Sequence, residues 1–441
     1  MKKTISLLLA GFGLATTMAN AADLMSVYRD ASVYDAQFAA ARASLDAGRE
    51  KLTQGRSGLL PTIGVSANTT WNDTEVTPRT SPTMTYANQY NSNGWTASLT
   101  QPLFRWQNWA AYKQGELAAA IAETQFSAAQ QDLIVRTAQA YFDVLLAQET
   151  VATAAAQKTA ITHQLESAKR NFEVGTATIT DTHEAQARFD LAVAAELAAQ
   201  NDLTVKRQAL QVLIGKEPDT LKVLKAGAQI GRPQPDDMMK WAETAETGNL
   251  SVMQAQAAKE IADQEVGKQR AGHLPTLDIV ATYGKSGTGY YAATGTGVDT
   301  KATTVGLQLS VPLFAGGAIM SKDREAVALR EKARADLDNA RRQAALSARQ
   351  AYLGVTSGLS QVRAYEAAVA SSRSALESNQ VGYDVGVRIN IDVLNAQSQL
   401  YDTRQKLTKA RFDTLIAQLK LKQAAGNLTE DDLVAINALL E

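Results

Sequence analysis

Two stretches decide the fold: Phe172–Asp181, FEVGTATITD, and Tyr383–Asp392, YDVGVRINID. Each interrupts a long helical pattern with aromatic-x-Val-Gly and then a short polar run that ends in Asp. Gly175 and Gly386 let the chain leave one helix and reverse. Thr180 or Asp181, and Asn390 or Asp392, are expected to cap the returning helices. The two glycines stand 211 residues apart (386 − 175). Tyr141 with Tyr352, Ala185-Gln186 with Ala396-Gln397, and Gly215 with Gly426 keep the same offset. One unit is therefore written twice, and the two stretches are its tips.

Proline sets the frame for the rest. All nine prolines fall at 61, 78, 82, 102, 218, 233, 235, 275 and 312. Since proline inside a helix costs about 3 kcal/mol, the windows 103–217 and 313–441 can be almost wholly helical. Trp106–Phe172 reads as one unbroken helix, a rod of ~100 Å at 1.5 Å per residue. Residues 180–214 return about half that length. In the second copy, Ala318–Gly382 is the rod and 391–425 the return. On that return, Val393, Leu400, Leu407, Thr414 and Leu421 recur every seven residues, with Ala396, Thr403, Ala410, Ala417 and Ala424 three places on. This is a small-residue coiled-coil seam. Phe412, Leu415, Ile416 and Leu419 form a second apolar line, so the helix can touch neighbours on both sides.

Ahead of each rod the period falls to two. Ile63, Val65, Ala67, Thr69 and Trp71 alternate with polar or small residues, as do Trp95, Ala97 and Leu99. In the second copy Leu277, Ile279, Ala281 and Tyr283, and then Val305, Leu307, Leu309 and Val311, alternate in the same way, with Val280 the exception on the polar side. These are amphipathic hairpins, at about 62–101 and 276–311. The segments 72–94 and 284–302 are expected to be loops, and Pro102 to end its strand. Four strands cannot close a membrane barrel, which needs at least ~8. Strands that enter a membrane must therefore share a barrel with other chains. Four of the five Trp (71, 95, 106, 109) cluster at the first hairpin, where an aromatic girdle would lie.

The division along the chain is then a signal peptide over 1–21, a first repeat over 22–215, a connector over 216–249, a second repeat over 250–426 and a C-terminal helix over 427–441. The leader reading rests on Lys2-Lys3, the apolar run Ile5–Ala15 and an A-x-A site at 19–21. Asp23 to about Gly55 reads as a first helix. Without the leader, 42 basic residues face 45 acidic ones, net −3, which offers no footprint for nucleic acid. The chain has no Cys, which excludes disulfides and thiol catalysis. Asp181-x-His183-Glu184 reads as a capped helix start rather than a metal site. No nucleophile elbow, phosphate loop or HExxH occurs, so the chain is expected to be no enzyme and to carry no cofactor or metal.

The leader, the junctions Leu59-Leu60-Pro61-Thr62 and His273-Leu274-Pro275-Thr276, the two Pro-Leu-Phe motifs at 102–104 and 312–314, VGTATITD and VGVRINIDVLNAQ together resemble the TolC family of outer-membrane efflux proteins. The resemblance spans essentially all of 22–441. It implies a mainly α fold with a membrane β-barrel: a homotrimer whose long coiled-coil helices form an α-helical barrel in the periplasm, with a shared twelve-stranded β-barrel in the outer membrane lipid. It also implies a passive exit duct for small-molecule efflux, type I protein secretion or both, working with a periplasmic adaptor and an inner-membrane pump or ABC transporter. Residue by residue, Tyr383 and Arg388 match positions that lock the entrance, and Thr180 and Asp181 match their partners, with Asp181 the expected carboxylate for Arg388. Asp392 matches an acidic ring of the entrance. Asn395 stands where a second Asp is expected, which weakens a two-ring cation filter. Val174, Gly175 and Thr176, with Val385, Gly386 and Val387, match tips that dock the adaptor. The alternative is a periplasmic or surface coiled-coil protein with a structural or adhesive role.

Overall fold

The computed structural model describes residues 22–77, 79, 85–225, 227–291 and 295–441. The leader expected over 1–21 lies outside them. The elements run α1 (Leu24–Tyr34), α2 (Ala36–Ser57), β1 (Thr62–Val76), β2 (Tyr86–Phe104), α3 (Trp106–Glu173), α4 (Ile179–Ile214), α5 (Met238–Gly248), α6 (Leu250–Arg270), a 3-10 turn (Ala271–His273), β3 (Thr276–Tyr291), β4 (Thr296–Ser310), α7 (Ala318–Asp384), α8 (Asn390–Ala425) and α9 (Glu430–Asn437). The chain packs as two compact units that cut across both repeats: residues 22–39 with Gln130–Met238 and Arg349–Glu441, and Ala40–Ala129 with Met239–Ala348.

In the second of these units the strands form one antiparallel sheet in the order β1-β2-β3-β4. Its register aligns the apolar positions across all four strands. Ile63 lies opposite Leu99, Leu99 opposite Ala281 and Ala281 opposite Val305; on the other face Gly64, Ser98, Thr282 and Thr304 make the matching polar row. Because side chains alternate faces along a strand, one side of the sheet is apolar and the other polar. The apolar side is open to solvent in the single chain, 74 % exposed at Ile63 and 69 % at Leu307. Among the described residues β1 and β4 pair only with β2 and β3, so each leaves an edge free. No described helix is long and apolar enough to cross a membrane. Beside the sheet, α2 and α3 approach closely over glycine: a Cβ on Gly115 would stand 2.5 Å from the Lys51 carbonyl oxygen.

Three sequence expectations change here. The strands extend well into the expected loops, β1 and β2 into 72–94 and β3 and β4 into 284–302. Polar side chains bridge these extensions: Gln89 donates to Asp73 at 3.1 Å, Asn91 to Thr69 at 2.9 Å, and Lys285 pairs with Asp299 at 2.7 Å. Pro102 does not end β2, which continues to Phe104 through a register shift against β3. A bulge is where a strand tolerates a residue with no N–H. Arg105, just beyond, clamps β3 through two bonds to the buried Asp278, 2.8 and 2.6 Å long.

The other unit holds the rod ends, both returning helices, α1 and α9. The helix expected from Asp23 to Gly55 is broken at Asp35, whose N–H still bonds back to Ala31 at 2.8 Å while its carboxylate accepts from the Phe38 N–H at 2.6 Å. Arg136 of α3 grips the same carboxylate, at 3.0 and 3.2 Å, and holds its pKa below the usual carboxylate range. One Asp thus ends α1, caps α2 and ties both to α3. Tyr141 is wholly buried, edge-on to Phe142, which stacks on Phe412 at 5.1 Å. Its hydroxyl donates to the Ala22 and Lys222 carbonyls. Tyr28 donates to Glu430 at 3.0 Å, and burial together with that carboxylate pushes its pKa up to about 12. On α8 the seven-residue seam is buried at Val393, Leu400, Thr414 and Leu421, and the second line at Phe412, Leu415, Ile416 and Leu419.

The two faces of the sheet make opposite demands. Leu307→Arg on the apolar face should cost ~2–4 kcal/mol near mid-membrane and prevent assembly into outer membranes. Gln308→Arg on the polar face should be accepted. Heat-resistant oligomer in membrane extracts reports both, and equal yields from the two variants would contradict the assignment of faces.

Candidate functional site

Both tips are built by one device. At the first, Gly175 has φ 77°, the Thr176 N–H bonds to Asn171 O at 2.8 Å and the Gly175 N–H to Phe172 O at 3.0 Å. At the second, Gly386 has φ 81°, Val387 N–H bonds to Gly382 O at 2.9 Å and Gly386 N–H to Tyr383 O at 3.0 Å. This is the Schellman pattern, which satisfies the last helical carbonyls through a left-handed residue. Around each glycine lie exposed valines: Val174 is 74 %, Val385 67 % and Val387 75 % exposed. A Cβ on Gly175 or Gly386 would meet nothing within 4 Å. The backbone of each tip is therefore accessible, though left-handed geometry alone favours glycine there.

The helix starts beyond the tips differ from expectation. Thr178, not Thr180 or Asp181, is the N-cap of α4. Its hydroxyl accepts from the Asp181 N–H, and the Asp181 carboxylate accepts from the Thr178 N–H at 2.9 Å, a reciprocal capping box. Thr180 is exposed. At α8 the cap position is Ile389, with no side-chain cap bond. Asn390 and Asp392 do not cap. The buried Asn390 instead accepts from Gln164 of α3, and the Asp392 N–H bonds to Ile389 O at 3.1 Å.

A cleft joins the two tips, lined by Ser167, Ala168, Asn171, Thr176, Ala177 and Asp181 from the first repeat and by Tyr383–Asn390 except Val387 from the second. The structure thus brings Thr176, Asp181, Tyr383, Val385, Gly386 and Arg388 to one place. Within the chain the Tyr383 hydroxyl accepts from Asn171 at 3.1 Å. Arg388 faces Asp392 at 3.6 Å, one helical turn on, and not Asp181. Its stem lies against Gly382, where a Cβ would come within 2.6 Å of Arg388 Cγ. Asn395 accepts from Arg188 of α4 at 3.0 Å. Beneath the cleft, Phe189 packs against Leu165, Ala168 and Ala185 and also against Ile161, Ala192 and Leu394. Among the described residues no group of three or more His, Asp or Glu could hold a metal.

The sequence reading missed Gln164, Asn171, Thr178, Gly382 and Arg188. A signal was present for three of them. Gln164 and Asn171 lie seven residues apart on α3 and both reach the second repeat; Arg188 lies seven beyond Asp181 on α4. A polar heptad position on a coiled coil marks a cross-helix bond.

The capping box makes a specific demand. Thr178→Ala should loosen the start of α4 by about 1 kcal/mol, while Thr180→Ala should leave it unchanged. Amide hydrogen exchange over 179–182 should quicken roughly fivefold in the first variant only. The same rate in both variants would show that Thr178 does not cap.

The Outer membrane efflux protein family matches residues 27–216 and 241–427, one stretch in each repeat. Outer membrane protein TolC of Vibrio cholerae is 34 % identical over 443 residues, covering 100 % of this chain and 99 % of that protein. The alkaline protease secretion protein AprF of Pseudomonas aeruginosa is 35 % identical over 420 residues, covering 94 % and 86 %. The crystal structure of the outer membrane protein VceC of Vibrio cholerae superposes with a TM-score of 0.76 at 20 % identity, over 91 % of this chain and 96 % of that one. With both repeats matched and full-length relatives above a third identical, the chain belongs to the Outer membrane efflux protein family and is an outer-membrane protein.

Proposed function

We propose that this protein is a passive exit duct, a homotrimer that does no chemistry and draws its energy from an inner-membrane pump or ABC transporter reached through a periplasmic adaptor. The observation that carries this reading is the sheet: four strands, one face apolar, one polar, and two free edges. Three copies joined edge to edge would supply twelve strands, enough for a barrel with lipid outside and a polar lumen. The tips would form the entrance. Tyr383 and Arg388, with Thr180 and Asp181 of a neighbouring copy, would hold it shut, and Asp392 would form an acidic ring. The relative named for alkaline protease secretion supports protein cargo, and the efflux family supports small molecules.

Contacts repeated around a ring favour the closed state together even at ~1 kcal/mol each. In planar bilayers the purified protein should form channels, and Tyr383→Phe with Arg388→Ser should raise single-channel conductance without altering the trimer. Asp392→Ala should chiefly lower cation selectivity. A double variant that conducts no better than wild type would remove the gate from these residues.

Adaptor docking is assigned to Val174–Thr176 and Val385–Val387, because the valines are exposed and both glycines leave backbone open. Gly175→Glu or Gly386→Glu should abolish efflux from cells while trimer and membrane insertion persist. Normal efflux in both would place the docking surface elsewhere.

A further inference from the structure

The first turns of α8 carry Asp392 and Asn395, three residues apart and so on one helical face, and Arg388 stands just ahead of the helix cap. The lone carboxylate of this strip has Arg388 at 3.6 Å on one side. On the other, one turn along, Asn395 accepts from Arg188, reached across from α4 at 3.0 Å. Arg188 therefore bonds an amide oxygen, which orients its guanidinium and leaves its charge uncancelled. A carboxylate at 395 would neutralise that charge; the amide keeps it. We infer that Arg188 is a specificity-determining residue of the entrance: held by Asn395 beside Asp392, it offsets the acidic ring, so the duct passes anionic as well as cationic cargo. This rests on the duct reading, in which Asp392 faces the permeating path. Threefold repetition would place three such guanidiniums around the path, where low-dielectric walls strengthen their field. Asp181 and Asp384 line the cleft nearby, but their charge is the same whether or not Arg188 is present.

The test is the reversal potential of the full-length trimer in planar bilayers under a potassium chloride gradient. Arg188→Gln should raise the cation-to-anion permeability ratio about two- to threefold. Arg188→Lys, which keeps the charge, should stay within error of wild type. Asn395→Asp alone should gain less than Asn395→Asp with Arg188→Gln, because in the single variant the new carboxylate pairs with Arg188. Thermal stability of each trimer shows that the shift is not a folding effect, and the Lys variant separates charge from packing. An unchanged reversal potential in Arg188→Gln channels would overturn the assignment of Arg188 while leaving the duct intact. Well-folded trimers that form no channels would overturn the duct reading and this inference with it.

Discussion

A strand edge cannot face hydrocarbon. Each unpaired N–H or C=O there costs several kcal/mol, because lipid offers no partner. β1 and β4 are 15 residues each, and among the described residues neither has a partner on its outer side. On the proposed duct reading, further copies of the chain close the sheet at these edges. The same requirement explains the pleat. An apolar row that runs unbroken from Ile63 to Val305 is useful only if the sheet separates oil from water. The strand ends beyond that row are richer in polar residues and are tied by cross-strand bonds such as Gln89 to Asp73, as suits a rim in water.

Much of this was legible in the sequence because it is local. Period two against period seven, the proline windows and the paired Val-Gly motifs need no knowledge of what lies across the fold. The errors share one cause. Asp35 breaks a helix because Arg136, a hundred residues on, grips its carboxylate. The polar strand ends read as loops because their stabilising partners sit on the neighbouring strand. Pro102 stays in β2 because β2 itself bulges by one residue, at Leu103, against β3 and Arg105 clamps the joint. Thr178 rather than Thr180 caps α4 because the Schellman turn decides where the helix can begin, and side-chain type alone does not. At the site, Tyr383 and Arg388 came from resemblance. Asn171, Gln164 and Arg188 stand at polar heptad positions, but their partners needed the register of α3 and α4 against α7 and α8, which no single helix encodes.

The repeat also shows how one sequence unit serves two environments. Tyr141 and Tyr352 occupy equivalent positions. The first is fully buried and bonds two backbone carbonyls. The second, part-exposed, donates to Asp236 at 2.8 Å, a carboxylate held below its usual pKa range by Arg232 and by this tyrosine. Duplication preserved the hydroxyl and changed its partner, as expected where backbone geometry is kept but the two copies meet different parts of the one connector.

The tips diverge in a more consequential way. The first is closed on itself: Thr178 and Asp181 satisfy each other's N–H groups, so α4 begins with two of its exposed donors paired. The second has Ile389 at the cap, which supplies no side-chain acceptor, and its Asn390 is engaged with Gln164 instead. A missing cap is worth about 1 kcal/mol, so α8 begins less firmly than α4. Its place is taken by bonds to other helices, from Gln164 to Asn390 and from Arg188 to Asn395, while Asn171 holds Tyr383 at the end of α7. A helix start held by its neighbours rather than by itself yields when those neighbours move. On the duct reading, that makes the second tip the movable part of the entrance and the first tip its fixed frame, and it is the second tip that carries Tyr383, Arg388 and Asp392.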